Sequence, residues 1–321
     1  RRGCCNCNGQ RSRLETRIET LLFHAPMSET RWNRSSDERS DNSEIQHRRV
    51  VIENSHGEKL VGVLHDTGST ETVVICHGFR SSRFSSSFIN SDRIPMPTIA
   101  NVFEKAVISS FRFDFAGNGE SQGSFECGNY RREAEDLRSV LQHLRGENRD
   151  ISAIIGHSKG GSVVLLYAAK YKDVHTVVNI SGRFFLERGI EMRLGKDYLK
   201  RIKENGFIDV RNRKGKFEYR VTEESLMDRL TTNTHEACFS IHENCRIVHV
   251  TEASEFARYI KNHKLCLIEG ADHEFTSHQD QLASTVLSFF KLDPEDDEDS
   301  GDVGTSNRDH IRSALTIEPR I

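Results

Sequence analysis

The chain has 321 residues, of which 36% are hydrophobic and 29% charged, and its formal net charge is −3 at pH 7. This charge balance argues against a nucleic-acid-binding protein, because neutralising phosphates requires a clustered cationic surface. No uninterrupted apolar run reaches the length of a membrane span, so none is predicted. The eight cysteines are mostly scattered and no apolar leader precedes them, which predicts a reduced, cytoplasmic protein rather than a disulfide-bonded one.

Both ends of the sequence are too polar to form a core. Residues 1–46 are rich in Arg, Ser, Asn and Glu without a sustained apolar period, which predicts a disordered leader. Its basic first half fits a transit peptide, which would place the protein in the chloroplast, or translated sequence upstream of Met27. An acidic run predicts a disordered tail over residues 292–321. The predicted folded domain is therefore residues 47–291.

Within this domain, short β-branched runs alternate with amphipathic stretches, which is the pattern of an α/β fold with a mostly parallel sheet and flanking helices. Eight strands are predicted, at residues 50–53, 60–64, 72–76, 110–114, 151–155, 176–180, 246–250 and 264–268. The first two are predicted to form an antiparallel hairpin. Helical periodicity is present at residues 131–144, 161–171, 251–260 and 279–290.

Residues 183–244 interrupt the alternation between the sixth and seventh predicted strands. They contain further helices and a hairpin turned at residues 212–215. An insertion at this point predicts a cap over the carboxyl edge of the sheet, which is where open α/β sheets bind their ligands.

A G-x-S-x-G motif follows the fifth predicted strand and opens the next helix. The sequence Gly156-His157-Ser158-Lys159-Gly160 therefore has the strand–turn–helix context of a nucleophile elbow. Such a sharp turn requires glycine at positions 156 and 160, because the strand and the helix approach closely. Ser158 is the predicted nucleophile.

Two other strand ends carry candidate site residues. His77-Gly78-Phe79 follows the third strand, where the residue after His-Gly supplies one backbone N–H of an oxyanion hole. The residue after the nucleophile supplies the other, so the two donors are predicted to be Phe79 and Lys159; a tight strand exit without a catalytic role is the alternative for His77 and Gly78. His273 follows the last strand and is the predicted general base.

These motifs resemble those of the α/β-hydrolase superfamily and, within it, the plant serine aminopeptidase S33 and monoacylglycerol-lipase-like group. The matching stretches are residues 77–82, 111–121, 156–161 and 268–273. The resemblance implies an α/β-hydrolase fold with an eight-stranded, mostly parallel sheet and a cap. It also implies esterase, lipase or thioesterase chemistry through a Ser–His–acid triad on a small acyl-ester or lipid-like substrate, without a metal or organic cofactor.

The triad acid is missing from the position where the resemblance implies it. Such proteins carry an Asp in a loop after the seventh strand, whereas here Val250 runs directly into the next predicted helix. The weak candidates to replace it are Glu252 and Asp272. Two interpretations remain open: a serine hydrolase that works through Ser158 and His273, or a catalytically impaired pseudo-hydrolase that binds a ligand or partner. The shortened joint also fits a splice variant or an incorrectly predicted gene.

Two segments depart from a simple pattern. Residues 82–98 are predicted as a long, irregular connection that includes Pro95-Met96-Pro97. A zinc-like spacing is predicted to lie along one helix face, where four side chains cannot surround one ion, so no metal site is expected. Its members are His235, Cys238, His242 and Cys245.

Overall fold

The computed structural model describes residues 45–81, 95–250 and 254–291. The predicted tail and nearly all of the predicted leader lie outside the described residues, as does the candidate acid Glu252.

The described strands form one large sheet and one separate hairpin. The strands are β1 Gln46–Glu53, β2 Lys59–Asp66, β3 Glu71–Cys76, β4 Ser109–Phe113, β5 Asp150–His157, β6 Thr176–Ile180, β7 Phe207–Arg211, β8 Phe217–Thr222, β9 Arg246–Val250 and β10 His263–Cys266. The large sheet has the order β1-β2-β4-β3-β5-β6-β9-β10, and β7 pairs with β8 alone. β2 is antiparallel to both β1 and β4, and every other pair in the large sheet is parallel. All eight predicted sheet strands are present in this part of the chain.

The helices lie on both faces of this sheet and in the segment after β6. Their bounds are α1 Met96–Lys105, α2 Tyr130–Gly146, α3 Lys159–Tyr171, α4 Ile190–Leu194, α5 Tyr198–Asn205, α6 Glu223–Thr231, α7 Thr234–Ser240, α8 Ser254–Ala257 and α9 Gln279–Lys291. Across the three described ranges, none of these helices has both the length and the apolar character that crossing a bilayer requires.

The continuous apolar runs of the central strands are explained by burial on both faces. Along β3, Val74 belongs to one buried cluster, which includes apolar side chains of α2 and α3. Its neighbours Val73 and Ile75 belong to a second cluster, which includes side chains of α1 and α9. Successive side chains of a strand point to opposite faces, so each run supplies both layers of the core.

The segment between β6 and β9 contains α4 to α7 and the β7–β8 hairpin, and it contacts the carboxyl end of the sheet. The ring of Tyr219 on β8 lies 5.5 Å from that of Phe79, just after β3, and 5.6 Å from that of Phe125. An ion pair of 3.0 Å between Arg80 and Glu218 joins the same two regions. The hairpin is thus held beside the strand end that carries a candidate site residue.

Three local predictions are corrected by the structure. Of the predicted irregular connection over residues 82–98, residues 82–94 lie outside the described residues. Pro95 and Pro97 are not part of an irregular segment, because they flank the start of α1, and the first turn of a helix tolerates proline. Within the predicted helix over residues 251–260, α8 covers Ser254–Ala257 and is followed by a turn, so the helix ends three residues earlier than predicted. Residues 251–253 lie outside the described residues. Finally, α7 ends at Ser240, so two members of the zinc-like set lie beyond the helix.

Candidate active site

Ser158 lies at the sharp turn between β5 and α3. Its φ is 54° and its ψ is −114°, a conformation that costs free energy for a residue with a β-carbon. Its backbone N–H donates to the carbonyl oxygen of Ile180 at 2.7 Å, at the end of the neighbouring strand β6. The turn therefore projects the partly exposed serine at the carboxyl edge of the sheet.

The glycines on either side of Ser158 fill places where no side chain fits. A β-carbon on Gly156 would lie 2.2 Å from the carbonyl oxygen of Gly160. A β-carbon on Gly160 would lie 2.6 Å from the carbonyl oxygen of His77. These contacts are with rigid backbone atoms, so the strand, the turn and the helix approach this closely only with glycine at both positions.

His273 meets Ser158 from the loop between β10 and α9. This loop, residues 267–278, is called the histidine loop below. The Nε2 atom of His273 lies 2.9 Å from the Oγ atom of Ser158. Two hydrogen bonds fix the backbone of His273. Its carbonyl oxygen accepts one of 2.9 Å from Nε2–H of His157 and one of 3.3 Å from the hydroxyl of Ser181. The structure thus brings these two predicted residues into hydrogen-bond contact.

The surroundings of His273 favour its neutral form. Burial lowers the pKa of its imidazole, and the ring of His157 acts in the same direction. His157 is itself almost completely buried, and burial lowers its pKa. A neutral imidazole next to a hydroxyl can accept its proton.

The predicted oxyanion-hole residues lie around the same serine. A β-carbon on Gly78 would lie 3.1 Å from Cβ of Ser158, so the turn after β3 runs beside the nucleophile. Nε2 of His77 accepts a hydrogen bond of 3.1 Å from the backbone N–H of Phe115, and Nδ1–H donates to the carbonyl oxygen of Gly78 at 2.8 Å. Within the described residues, no hydrogen bond uses the backbone N–H of Phe79 or Lys159.

Of the two replacement acids named from the sequence, only Asp272 belongs to the described residues, and it does not hydrogen-bond to His273. Its exposed carboxylate accepts a hydrogen bond of 2.8 Å from the backbone N–H of Thr276, and this bond lowers its pKa. Asp272 therefore closes a turn of the histidine loop.

A carboxylate that the sequence interpretation overlooked lies closer to the pair. An oxygen of Glu274 and one ring nitrogen each of His157 and His273 lie within 4.8 Å of one another. The only sign of this carboxylate in the sequence was the dipeptide His273-Glu274. This sign is weak, because the side chains of adjacent residues seldom face each other.

Two sets of side chains within the described residues have the donor atoms of a metal site, but their nitrogens are engaged elsewhere. In the set of His157, His273 and Glu274, the His157 N–H donates to a carbonyl oxygen. In the second set, Nδ1 of His65 lies 2.7 Å from a carboxylate oxygen of Glu104, and Nε2 lies 2.9 Å from a guanidinium nitrogen of Arg112. Since Arg can only donate, Nδ1 of His65 carries the proton and cannot bind a cation in this arrangement. His47 completes that set.

Residues 68–238 match the family described as serine aminopeptidase S33. The chain belongs to this family. No curated protein sequence matched the chain.

Solved structures of the α/β-hydrolase fold resemble this member of the S33 family. Est1E from Butyrivibrio proteoclasticus, solved with bound ferulic acid, has a TM-score of 0.61 at 20% identity, covering 75% of this chain and 97% of that one. The α/β hydrolase GrgF from Penicillium sp. sh18 has a TM-score of 0.63 at 18% identity, covering 77% and 98%. The Pyrococcus furiosus esterase Pf2001 has a TM-score of 0.56 at 19% identity, covering 83% and 96%. The predicted α/β-hydrolase fold is therefore confirmed.

Proposed function

We propose that this protein is a serine hydrolase that cleaves acyl esters or acyl thioesters through Ser158 and His273. The observation that carries the proposal is the 2.9 Å contact between Nε2 of His273 and Oγ of Ser158 at a strained strand-to-helix turn. A strained serine in hydrogen-bond contact with a neutral histidine is the arrangement that activates a hydroxyl for nucleophilic attack.

In the proposed reaction, Oγ of Ser158 attacks the acyl carbon while its proton moves to Nε2 of His273. The backbone N–H groups of Phe79 and Lys159 bind the oxyanion of the tetrahedral intermediate. His273 then gives the proton to the leaving oxygen or sulfur, and the acyl group stays on Ser158. Water, deprotonated by His273, hydrolyses this acyl-enzyme and restores both side chains.

The β7–β8 hairpin contacts the turn after β3 that carries Phe79, one of the two proposed oxyanion donors. The ring of Phe79 packs edge-on against those of Tyr219 and Phe125, at 5.5 and 5.3 Å. These aromatic contacts hold the turn whose N–H is proposed to bind the oxyanion, so the cap region 183–244 would both bound the acyl group and support the donor. We assign an ester or thioester substrate, including acylglycerols, since no residue of the site selects an amide.

The second candidate function is a pseudo-hydrolase that binds a ligand or partner in the same place. It is favoured by one observation: within residues 45–81, 95–250 and 254–291, no carboxylate hydrogen-bonds to the ring of His273. In serine proteases, replacing the triad Asp by its amide lowers kcat by about 10⁴-fold, so a missing acid weakens a hydrolase severely.

Hydrolysis of a panel of p-nitrophenyl esters with increasing acyl length, with matched p-nitroanilides, tests the proposal. We expect turnover of esters by the wild type and its loss in Ser158→Ala and His273→Gln. Ser277→Ala, which removes an exposed serine of the same histidine loop, should retain full activity. Folded wild-type protein that hydrolyses no ester, or a Ser158→Ala variant as active as the wild type, would contradict the proposal.

A further inference from the structure

Glu274 lies in the histidine loop with its carboxylate facing the two histidines of the site. One of its oxygens, Oε2, is 3.8 Å from Nε2 of His157, and the Glu274 side chain is 43% exposed. One oxygen of Glu274, one nitrogen of His157 and one nitrogen of His273 form a triangle with no side longer than 4.8 Å. This places the carboxylate within 4.8 Å of a nitrogen of His273, the ring that receives the serine proton.

The two rings of this triangle have different roles. His157 is 3% exposed and its Nε2–H is committed to the carbonyl oxygen of His273, so it acts as a neutral hydrogen-bond donor. His273 uses Nε2 for Ser158, so it is the ring that becomes positive when the hydroxyl proton arrives. Glu274 therefore faces one ring that stays neutral and one that gains a charge.

Four charged or titratable groups from three parts of the chain act on His273. Arg183, after β6, disfavours its protonated form, as would a proton on His157, at the end of β5. Glu274 and Asp272, from its own loop, favour it, and the effect of Glu274 is the larger of the two. On Glu274 itself, burial raises the pKa, and the charge of His273 opposes that shift. Glu274 is thus the main source of negative charge for His273 among the described groups.

We propose that Glu274 is a positioning residue that stabilises the His273 imidazolium during catalysis, in the role that the family resemblance gives to an Asp after the seventh sheet strand. This inference rests on the proposed function. Glu274 remains ionised throughout: the proton passes from Oγ of Ser158 to Nε2 of His273 and then to the leaving group, and no proton is transferred to the carboxylate. An opposite charge at this range favours the charged form of a histidine, and so lowers the free energy of the step that creates it.

The test is a titration of His273 by NMR in the full-length protein, with the resonance assigned from the His273→Gln spectrum. Glu274→Gln removes the charge and keeps the size, and we expect it to lower the pKa of His273 by about one unit. Glu274→Asp keeps the charge and should give a smaller shift. Glu269→Gln is the matched control, because it makes the same chemical change in the histidine loop at a residue outside the triangle. It should leave the titration of His273 unchanged.

Activity gives the second readout. In Glu274→Gln, the acidic limb of the kcat/KM profile should move to lower pH by the same amount, and kcat should fall about tenfold or more. If Glu274→Gln leaves both the His273 titration and the acidic limb as in the wild type, the inference is wrong. If Glu274→Gln shifts the His273 titration but the wild type hydrolyses no ester, the charge coupling is supported and the proposed function is overturned. The two failures are therefore distinguishable.

Discussion

The ammonium group of Lys159 lies 2.7 Å from Oε1 of Glu133, and the two side chains are only 5% and 7% exposed. Lys159 is the first residue of α3, directly after Ser158, and Glu133 lies in the first turn of α2. Burial raises the pKa of Glu133 to about 7, while the Lys159 charge opposes that shift. Within the described residues, the second carboxylate oxygen of Glu133 has no hydrogen-bond partner. The turn that carries the serine is thus tied to α2 by a buried and incompletely satisfied ion pair.

The buried pair predicts strongly non-additive effects on stability. Removing one partner leaves an uncompensated buried charge, so Lys159→Met or Glu133→Leu alone should lower the free energy of unfolding by about 3–5 kcal/mol. The double variant removes both charges and fills the space with apolar atoms, so it should recover most of that loss. Urea unfolding of the four proteins gives the coupling energy. A double variant as unstable as the sum of the single variants would contradict this account.

The elbow predicts a sharp difference between two glycine-to-alanine changes. Gly156→Ala places a β-carbon 2.2 Å from a backbone oxygen, so the turn must distort, and we expect unfolding or a loss of at least about 3 kcal/mol of stability. Gly146→Ala, at the end of α2, meets nothing within 4 Å and should be neutral or slightly stabilising. Thermal denaturation compares the two variants. Equal melting temperatures would show that the close approach at Gly156 is not needed.

Two neighbouring histidines, buried His249 on β9 and half-buried His263 on β10, predict sensitivity to acid. The rings of His249 and His263 are 4.7 Å apart, and burial lowers the pKa of His263 to about 4. Within the described residues, three of their ring nitrogens have no hydrogen-bond partner: Nδ1 and Nε2 of His249 and Nε2 of His263. Because the folded-state pKa of His263 is below the unfolded value, the unfolded chain takes up the proton first, and stability falls as the pH drops from about 6.5 towards 4.

The matched variants His263→Gln and His175→Gln test this sensitivity, since His175 is exposed. At pH 7.5 the His263→Gln variant should resemble the wild type, and at pH 5 it should be about 1 kcal/mol more stable relative to it, after allowance for the partial exposure of His263. The variant-minus-wild-type difference is the quantity to measure, because Glu133, with its raised pKa, contributes a slope of the opposite sign between pH 4.5 and about 7. A difference that does not change with pH would contradict the account.

The sheet could be predicted closely because its strands are local apolar runs between turn residues. The helix α1 was missed because Pro95 and Pro97 suggested a loop, although proline fits the first turn of a helix as well. The helix predicted over residues 251–260 ends earlier, at Ala257. Helical periodicity does not report the tertiary contacts that help to decide where a helix ends.

The candidate site was predictable as far as chain order determines it. Ser158 and His273 follow different strands of one sheet, and parallel strands bring their carboxyl ends to the same edge. Glu274 was not predictable, because the direction of its side chain depends on the path of the histidine loop. Glu133 was predictable in principle, since it occupies the buried face of α2, four residues before Leu137, but a charged residue there was not read as core.

Covalent labelling by a fluorophosphonate probe tests the central claim most directly, because the probe reacts only with an activated serine. We predict that the folded wild-type protein gains one probe mass, that peptide mapping places it on Ser158, and that Ser158→Ala gains none. Gly146→Ala, which leaves the elbow unchanged, should be labelled at the wild-type rate. Folded wild-type protein that gains no probe, or that gains it on another serine, would contradict the assignment of Ser158 as the nucleophile.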